Sequence, residues 1–81
     1  MTTNKFDSIL EFIDELNEDS SIPRNVKSKL NDITVSIKSS DDESIKVHKS
    51  LNILEEIAED TNLQPYTRTQ IWNMVSVLES N

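Results

Sequence analysis

Apolar residues recur along this chain at spacings of three and four, in four separate runs. The first is Phe6, Ile9, Leu10, Ile13 and Leu16, with charged side chains between them. That period marks one face of an α-helix. The second run is Val26, Leu30, Ile33 and Ile37, and the third is Val47, Leu51, Leu54, Ile57 and Ala58. Ile71, Met74, Val75 and Leu78 make the fourth. Local signals fit the same division. Asn4 is an N-cap candidate, and Asp7 suits the positive end of the first helix. Pro23 and Pro65 stand where helices two and four open, since proline fits a first helical position. Within "KSSDDES", Ser40 followed three residues later by Glu43 reads as a capping box for helix three. Val35 in "ITVSI" and Val77 in "MVSVL" invite a strand, but the spacing of their neighbours is helical. The pattern predicts about 75 percent helix, well above the globular average.

The two halves of the chain match. "NEDSSIP" at 17–23 returns as "AEDTNLQP" at 58–65. With an offset of about 41 residues, Leu10 falls on Leu51, Ile13 on Leu54, Leu16 on Ile57 and Ile22 on Leu63. Leu30 then falls on Ile71, Ile33 on Met74 and Ile37 on Leu78. About six positions are identical in roughly forty pairs, so the repeat lives in the apolar positions rather than in identity. A duplicated hairpin and two unrelated amphipathic hairpins both give one architecture. It is an all-α, up-and-down four-helix bundle made of two similar helical hairpins, about 4–39 and 41–80. Two copies of a HEAT-like period are too few for a self-supporting solenoid. Each connector ends one helix and starts its antiparallel partner. Ile22 and Leu63, apolar in polar loops, are expected to tuck over the bundle end. Asp19 and Asp60 are expected to form Asx turns.

Composition narrows the chemistry. The chain has 81 residues and no glycine. Phosphate-cradling loops, calcium loops and dinucleotide turns all need glycine where φ is positive or a backbone comes close. There is no cysteine either, so disulfides, thiol nucleophiles and cysteine-based zinc sites are out. Eight Lys and Arg against 15 Asp and Glu give a formal charge of −7. That balance opposes nucleic acid and anionic membranes as partners. No apolar run is long enough to span a bilayer, and "MTTNKFDSIL" has no signal-peptide h-region. A cytoplasmic setting is expected.

Catalytic constellations are missing from the pattern. His48 is the only histidine, and Ile45 rather than a glutamate stands three residues before it, so the Glu-x-x-His element of a di-iron bundle is absent. It reads as an edge histidine beside Lys46 and Lys49. No catalytic residue and no cofactor is assigned. The acidic runs "DELNED" at 14–19 and "EEIAED" at 55–60 sit at helix C-termini, the unfavourable end of the macrodipole. Arg24 and Arg68 follow closely and are expected to pair with them. Asp14, Glu18, Asp19, Glu55, Glu59 and Asp60 are the candidate ligands if this end holds a divalent cation. A solvated, locally neutralised rim and a surface for a basic protein partner are the other readings.

Apolar residues also spill beyond the stripes. Trp72 lies about 100° from the centre of its stripe, one residue past Ile71. Phe12 and its counterpart Ile53 flank theirs, as does Val77. Burial between neighbouring helices is one account of these residues, and an interface is the other. Arg68, four residues before Trp72, is placed to cover the indole. Phe12, Ile53, Arg68, Trp72 and Val77 are therefore the interface candidates, with a homodimer as the expected assembly because the closed two-fold pair is the commonest.

"TRTQIWNMVSVLES" at 67–80, with "EDSSIPRNVKSKL" and "LNILEEIAED", resembles an archaeal family of small helical proteins of unknown function, catalogued as uncharacterised protein family 0147. The likeness covers nearly the whole chain and is most specific at Arg68, Ile71, Trp72 and Asn73. It implies an all-helical bundle and an archaeal cytosolic setting, and it supplies no site residues. Gln64 before Pro65 and the serine-rich linker depart locally from the pattern. Two functions from different classes follow. One is a small acidic, non-enzymatic interaction module that self-associates. The other is a metal-binding or catalytic protein that uses the acidic end. On charge alone, random-sequence DNA at physiological salt is expected to show no micromolar, salt-sensitive retardation by this protein, and such a shift in a gel assay would contradict the reading.

Overall fold

A computed structural model describes residues 4–80. Four helices follow one another: α1 Lys5–Asn17, α2 Arg24–Lys38, α3 Glu43–Ala58 and α4 Pro65–Glu79. They make up 77% of the described residues, and no strand occurs among these. Packing joins α1 to α2, α2 to α3, α3 to α4, and α4 back to α1. Helices α1 and α3 are thus diagonal, as are α2 and α4, and each helix runs against the direction of its two neighbours. This is the up-and-down bundle of two hairpins that the apolar spacing predicts.

The core is what the four stripes share. Ile9, Ile13, Val26, Leu30, Ile33, Leu54, Ile57, Ile71, Met74 and Leu78 are all essentially inaccessible to solvent. The stretch with strand-like residues is helical. Thr34 satisfies its hydroxyl by donating to the Leu30 carbonyl at 3.3 Å, a back-bond that lets a β-branched residue sit inside a helix.

Helix starts follow the sequence signals at three of four places. Asn4 caps α1, its Oδ1 accepting from the Phe6 amide at 2.9 Å. Pro65 occupies the first turn of α4. Helix α2 opens next to Pro23, which is its cap residue rather than its first helical residue, and the Pro23 carbonyl accepts from the Val26 and Lys27 amides, each at 3.1 Å. The Ser40–Glu43 capping box does not form. The cap residue of α3 is Asp42, with no side-chain cap bond. Ser39 organises the linker instead, donating to the Ser36 carbonyl at 2.7 Å and accepting from the Asp41 amide at 3.3 Å. Glu43 opens α3 rather than entering its third position, and its carboxylate lies 3.5 Å from Lys5 Nζ.

The halves agree more closely than their identities suggest. Helix α1 ends at Asn17 and α3 at Ala58; α2 spans 24–38 and α4 spans 65–79. All three boundaries correspond at an offset of 41 residues. The cap residues Glu18 and Glu59 share one conformation, φ −81° and ψ −12° against φ −81° and ψ −10°. Asp19 Oδ1 accepts from the Ser21 amide at 2.9 Å, and Asp60 Oδ1 from the Asn62 amide at 2.8 Å. These are the two Asx turns. Ile22 and Leu63 are each 5% exposed, so both plugs are seated.

Two buried polar residues were not part of the predicted stripes. Ser50 is 0% and Thr67 2% exposed. They occupy the positions that Ile9 and Val26 hold in the first hairpin. Burial follows the repeat even where residue type does not. The Ser50 hydroxyl has no hydrogen-bond partner, and an unpaired buried polar group costs stability. Opposite effects are therefore expected from two alanine substitutions, read from urea midpoints. Leu54→Ala should cost roughly 3 kcal/mol by cavity formation. Ser50→Ala should leave stability unchanged or raise it by up to about 1 kcal/mol, and a clear loss would show that the hydroxyl is paired.

Candidate functional site

The connector end gathers most of the polar organisation. At the C-terminus of α3, Arg68 reaches back from the first turns of α4. Its Nε donates to the Ala58 carbonyl at 3.2 Å, and one terminal nitrogen donates to the Asp60 carbonyl at 2.7 Å. Free carbonyls and the negative end of a helix dipole both favour a cation there. Neither α1 nor α3 has a basic residue in its own last turn, so Arg68 supplies from a neighbour what α3 lacks. In the first hairpin Lys27 holds the corresponding position, and its charge acts on Asp19.

This corrects two expectations. Arg68 does not cover the Trp72 indole, because its guanidinium is committed to backbone carbonyls in the connector. Arg24 is exposed, and neither it nor Arg68 takes part in the ion pairs among the described residues. Those pairs are Lys5–Glu43 at 3.5 Å, Lys29–Glu56 at 3.7 Å and Lys49–Asp41 at 3.2 Å. All involve accessible side chains and contribute little individually.

The six acidic candidates do not converge. Asp14, Glu18 and Asp19 belong to the α1 corner, while Glu55, Glu59 and Asp60 belong to the diagonal α3 corner. Among the described residues no group of three or more His, Asp or Glu side chains is placed to hold a metal ion. Asp19 and Asp60 are occupied by their turns. The Ser21 hydroxyl, donating at 2.6 Å, and the Ser21 amide hold the Asp19 carboxyl below its ordinary range. The Asn62 amide, followed by the Asn25 side chain at 3.3 Å, does the same for Asp60. The Asn25–Asp60 bond also ties the start of α2 to the second connector.

His48 is exposed. It borders an open cavity of about 520 Å³ with Lys5, Glu43 and Glu79 at the opposite end of the bundle. A second open groove, about 450 Å³, runs between α2 and α3 and is lined by Val35, Ile53 and the Lys49–Asp41 pair. Lys5, at the first cavity, and Lys46 lie over the Phe6 ring at 5.8 and 5.9 Å. None of these places aligns a nucleophile, a base and an orienting group.

The interface candidates separate onto different seams. Ile53 is half-buried on the α2 side of α3, in the 450 Å³ groove. Trp72 is one turn along from Arg68, and Arg68 reaches α3, so the indole lies on the α3-facing flank of α4. It is 48% exposed. Val77 is on the other flank, toward α1, and half-buried. Phe12 is two turns along α1 from Lys5, which borders Leu78 and Glu79 of α4, so Phe12 also faces the α1–α4 seam. Phe12, Ile53 and Val77 pack partly against the core. The spacing did not single out Tyr66, Val35 or Ile45, which are 67%, 61% and 43% exposed.

Fold and surface together define a small up-and-down helical bundle of two matched hairpins. The chain belongs to an uncharacterised protein family (UPF0147), whose model matches residues 1–80. It is similar to UPF0147 proteins of several archaea, among them the following three. The one from Archaeoglobus fulgidus is 33% identical, across 98% of this chain and 91% of that one. The protein of Methanosarcina acetivorans is 40% identical, across 88% and 74%. That of Sulfurisphaera tokodaii is 31% identical, across 94% and 86%. No solved structure matches. Neither the family's description nor these relatives' names state an activity. Among the described residues no helix is long and apolar enough to cross a membrane.

Two measurements test the connector. Arg68→Ala is expected to cost roughly 1.5–3 kcal/mol, the range for charged hydrogen bonds, and Arg68→Lys to recover only part of it. Depressed carboxyl pKa values stabilise the fold above the ordinary Asp value, and that contribution is lost as pH falls through the lower folded values. Asn keeps an acceptor for each turn but does not titrate. The Asp19→Asn, Asp60→Asn double variant should therefore lose less stability than wild type between neutral pH and about pH 3, below the ordinary Asp pKa near 3.9. Parallel pH profiles would remove these two carboxyls from the acid response.

Proposed function

We propose that this protein is a small acidic, non-enzymatic interaction module that works in the cytosol by pairing with a second copy of itself. The observation that carries the reading is Trp72. It is 48% exposed at the edge of the core, and the arginine best placed to cover it is bonded elsewhere. Tryptophan is enriched among the residues that dominate binding energy at interfaces. A domain of 81 residues also has a marginal core, to which burial between copies adds usefully. The opposing force is the charge of −7 on each copy. Association is accordingly expected to strengthen modestly with salt, as screening relieves the repulsion.

Sedimentation equilibrium and circular dichroism test this together. Trp72→Ala should weaken association by roughly 2 kcal/mol or more while the chain stays helical. Were the indole a core residue, the same change would cost about 3–5 kcal/mol of folding stability. A wild-type chain that remains monomeric at about 100 μM, a concentration that populates even weak specific dimers, ends the proposal.

A further inference from the structure

Helix α4 differs from the other three in its outward chemistry. Between Arg68 and Glu79 it has no charged residue, although 28% of the chain is charged. Tyr66, Thr69, Trp72, Asn73 and Ser76 are exposed there. By contrast, α1 presents Asp7, Glu11, Asp14 and Glu15, α2 presents Arg24, Asp32 and Lys38, and α3 presents Lys49, Glu55 and Glu56. We infer that the uncharged face of α4 is where two copies of this chain meet, in a two-fold contact of α4 against α4. This rests on the self-association proposed above and adds the surface through which it occurs.

Charge selects both the face and the occupant. In a two-fold contact each residue near the axis meets its own copy, so any charge there meets a like charge. Pairing through α1 would set carboxylates against carboxylates at helix-packing distance, well inside a Debye length of about 8 Å. Pairing through the 69–78 stretch of α4 sets none, since the exposed carboxylate of α4, Glu79, stands at the far end of the helix. A basic or an acidic partner gains no attraction from a neutral helix, whereas a second copy at −7 loses least there. The cores of interfaces are likewise depleted in charge and enriched in Tyr and Trp.

The polar groups on this face are already largely paired within α4. The Tyr66 hydroxyl accepts from Gln70 Nε2 at 2.9 Å, and the Thr69 hydroxyl donates to the Pro65 carbonyl at 3.1 Å. Removing water from such groups costs less than removing it from unpaired ones. Asn73 and Ser76 remain for bonds across the contact.

The test places a charge on this face and follows association by sedimentation equilibrium and by the emission of Trp72, the only tryptophan. Asn73→Glu and Ser76→Glu, both at exposed positions, should each raise the dimer Kd at least about tenfold. Each should also abolish the concentration-dependent blue shift of emission. Ser28→Glu, adding the same charge on the exposed side of α2, should change Kd by less than about twofold, as expected for a charge away from the contact. Mixing Asn73→Glu with Asn73→Lys chains should restore association, which loss of folding cannot do. Association of both α4 variants as tight as wild type overturns the α4 assignment and leaves self-association standing. A wild-type monomer overturns both.

Discussion

The chain must reverse direction at each connector without a left-handed residue. It has no glycine, and no described residue has positive φ, so the usual termination by a residue in the αL conformation is not used. Helices α1 and α3 stop on a right-handed cap residue and hand the turn to an aspartate, Asp19 or Asp60. The carboxylate captures the amide two residues on, and an apolar residue three positions after the aspartate drops into the end of the core. Side chain and plug together set the angle at which α2 and α4 return. From that angle follow the seams, the diagonal placement of the acidic corners and the separation of the apolar flanks.

Termination by acids has an electrostatic cost that the structure meets unequally. Carboxylates crowd the negative ends of two helix dipoles. At α3 the Arg68 guanidinium answers with two bonds to backbone carbonyls, and Asn25 of α2 adds a bond to Asp60. At α1, Lys27 contributes only its charge. The second connector is thus braced by the helix it leads into and tied to one helix outside its hairpin, α2, and the first relies more on its plug and its turn. This is where the hairpins, so alike in backbone, diverge: the arginine that braces one connector is bonded to carbonyls rather than laid over the indole beside it.

Helix number, most of the stripe residues, both Asx turns and both plugs were legible in the sequence, because each depends on residues within a few positions of one another; Leu10, Val47 and Leu51 are the stripe residues that end only partly buried. The direction of Arg68 was not. A long side chain reaches several places at once, and the helical spacing to Trp72 gave no weight to carbonyls brought near by the turn. Ser50 and Thr67 escaped the apolar pattern because it registers residue type. The offset to Ile9 and Val26 is the signal in the sequence that would have located them. The Ser40–Glu43 motif failed through competition, since Ser39 had already shaped the linker and Glu43 found Lys5. The candidate surface was half-legible: spacing put Trp72 on a flank, while the neutrality of its whole helix becomes meaningful only beside the exposed charges of the other three. The metal candidates were grouped because both acidic runs end helices at one end of the bundle, but the two runs stand at its diagonal corners and form no cation-binding group among the described residues.

The matched connectors also bear on how the bundle assembles. Each hairpin has its own turn, plug and half of the core, and each can collapse through contacts close in sequence, the kind that form fastest. Folding is therefore expected to have two comparable starting points rather than one obligatory nucleus. The seam between α1 and α4 joins segments nearly a chain length apart and has the largest loop entropy to overcome. It is expected to close last. Until it closes, the open edges are the α1 flank, with Phe12, and the α4 flank, with Val77, so the last seam to form is also the one that covers these two apolar side chains.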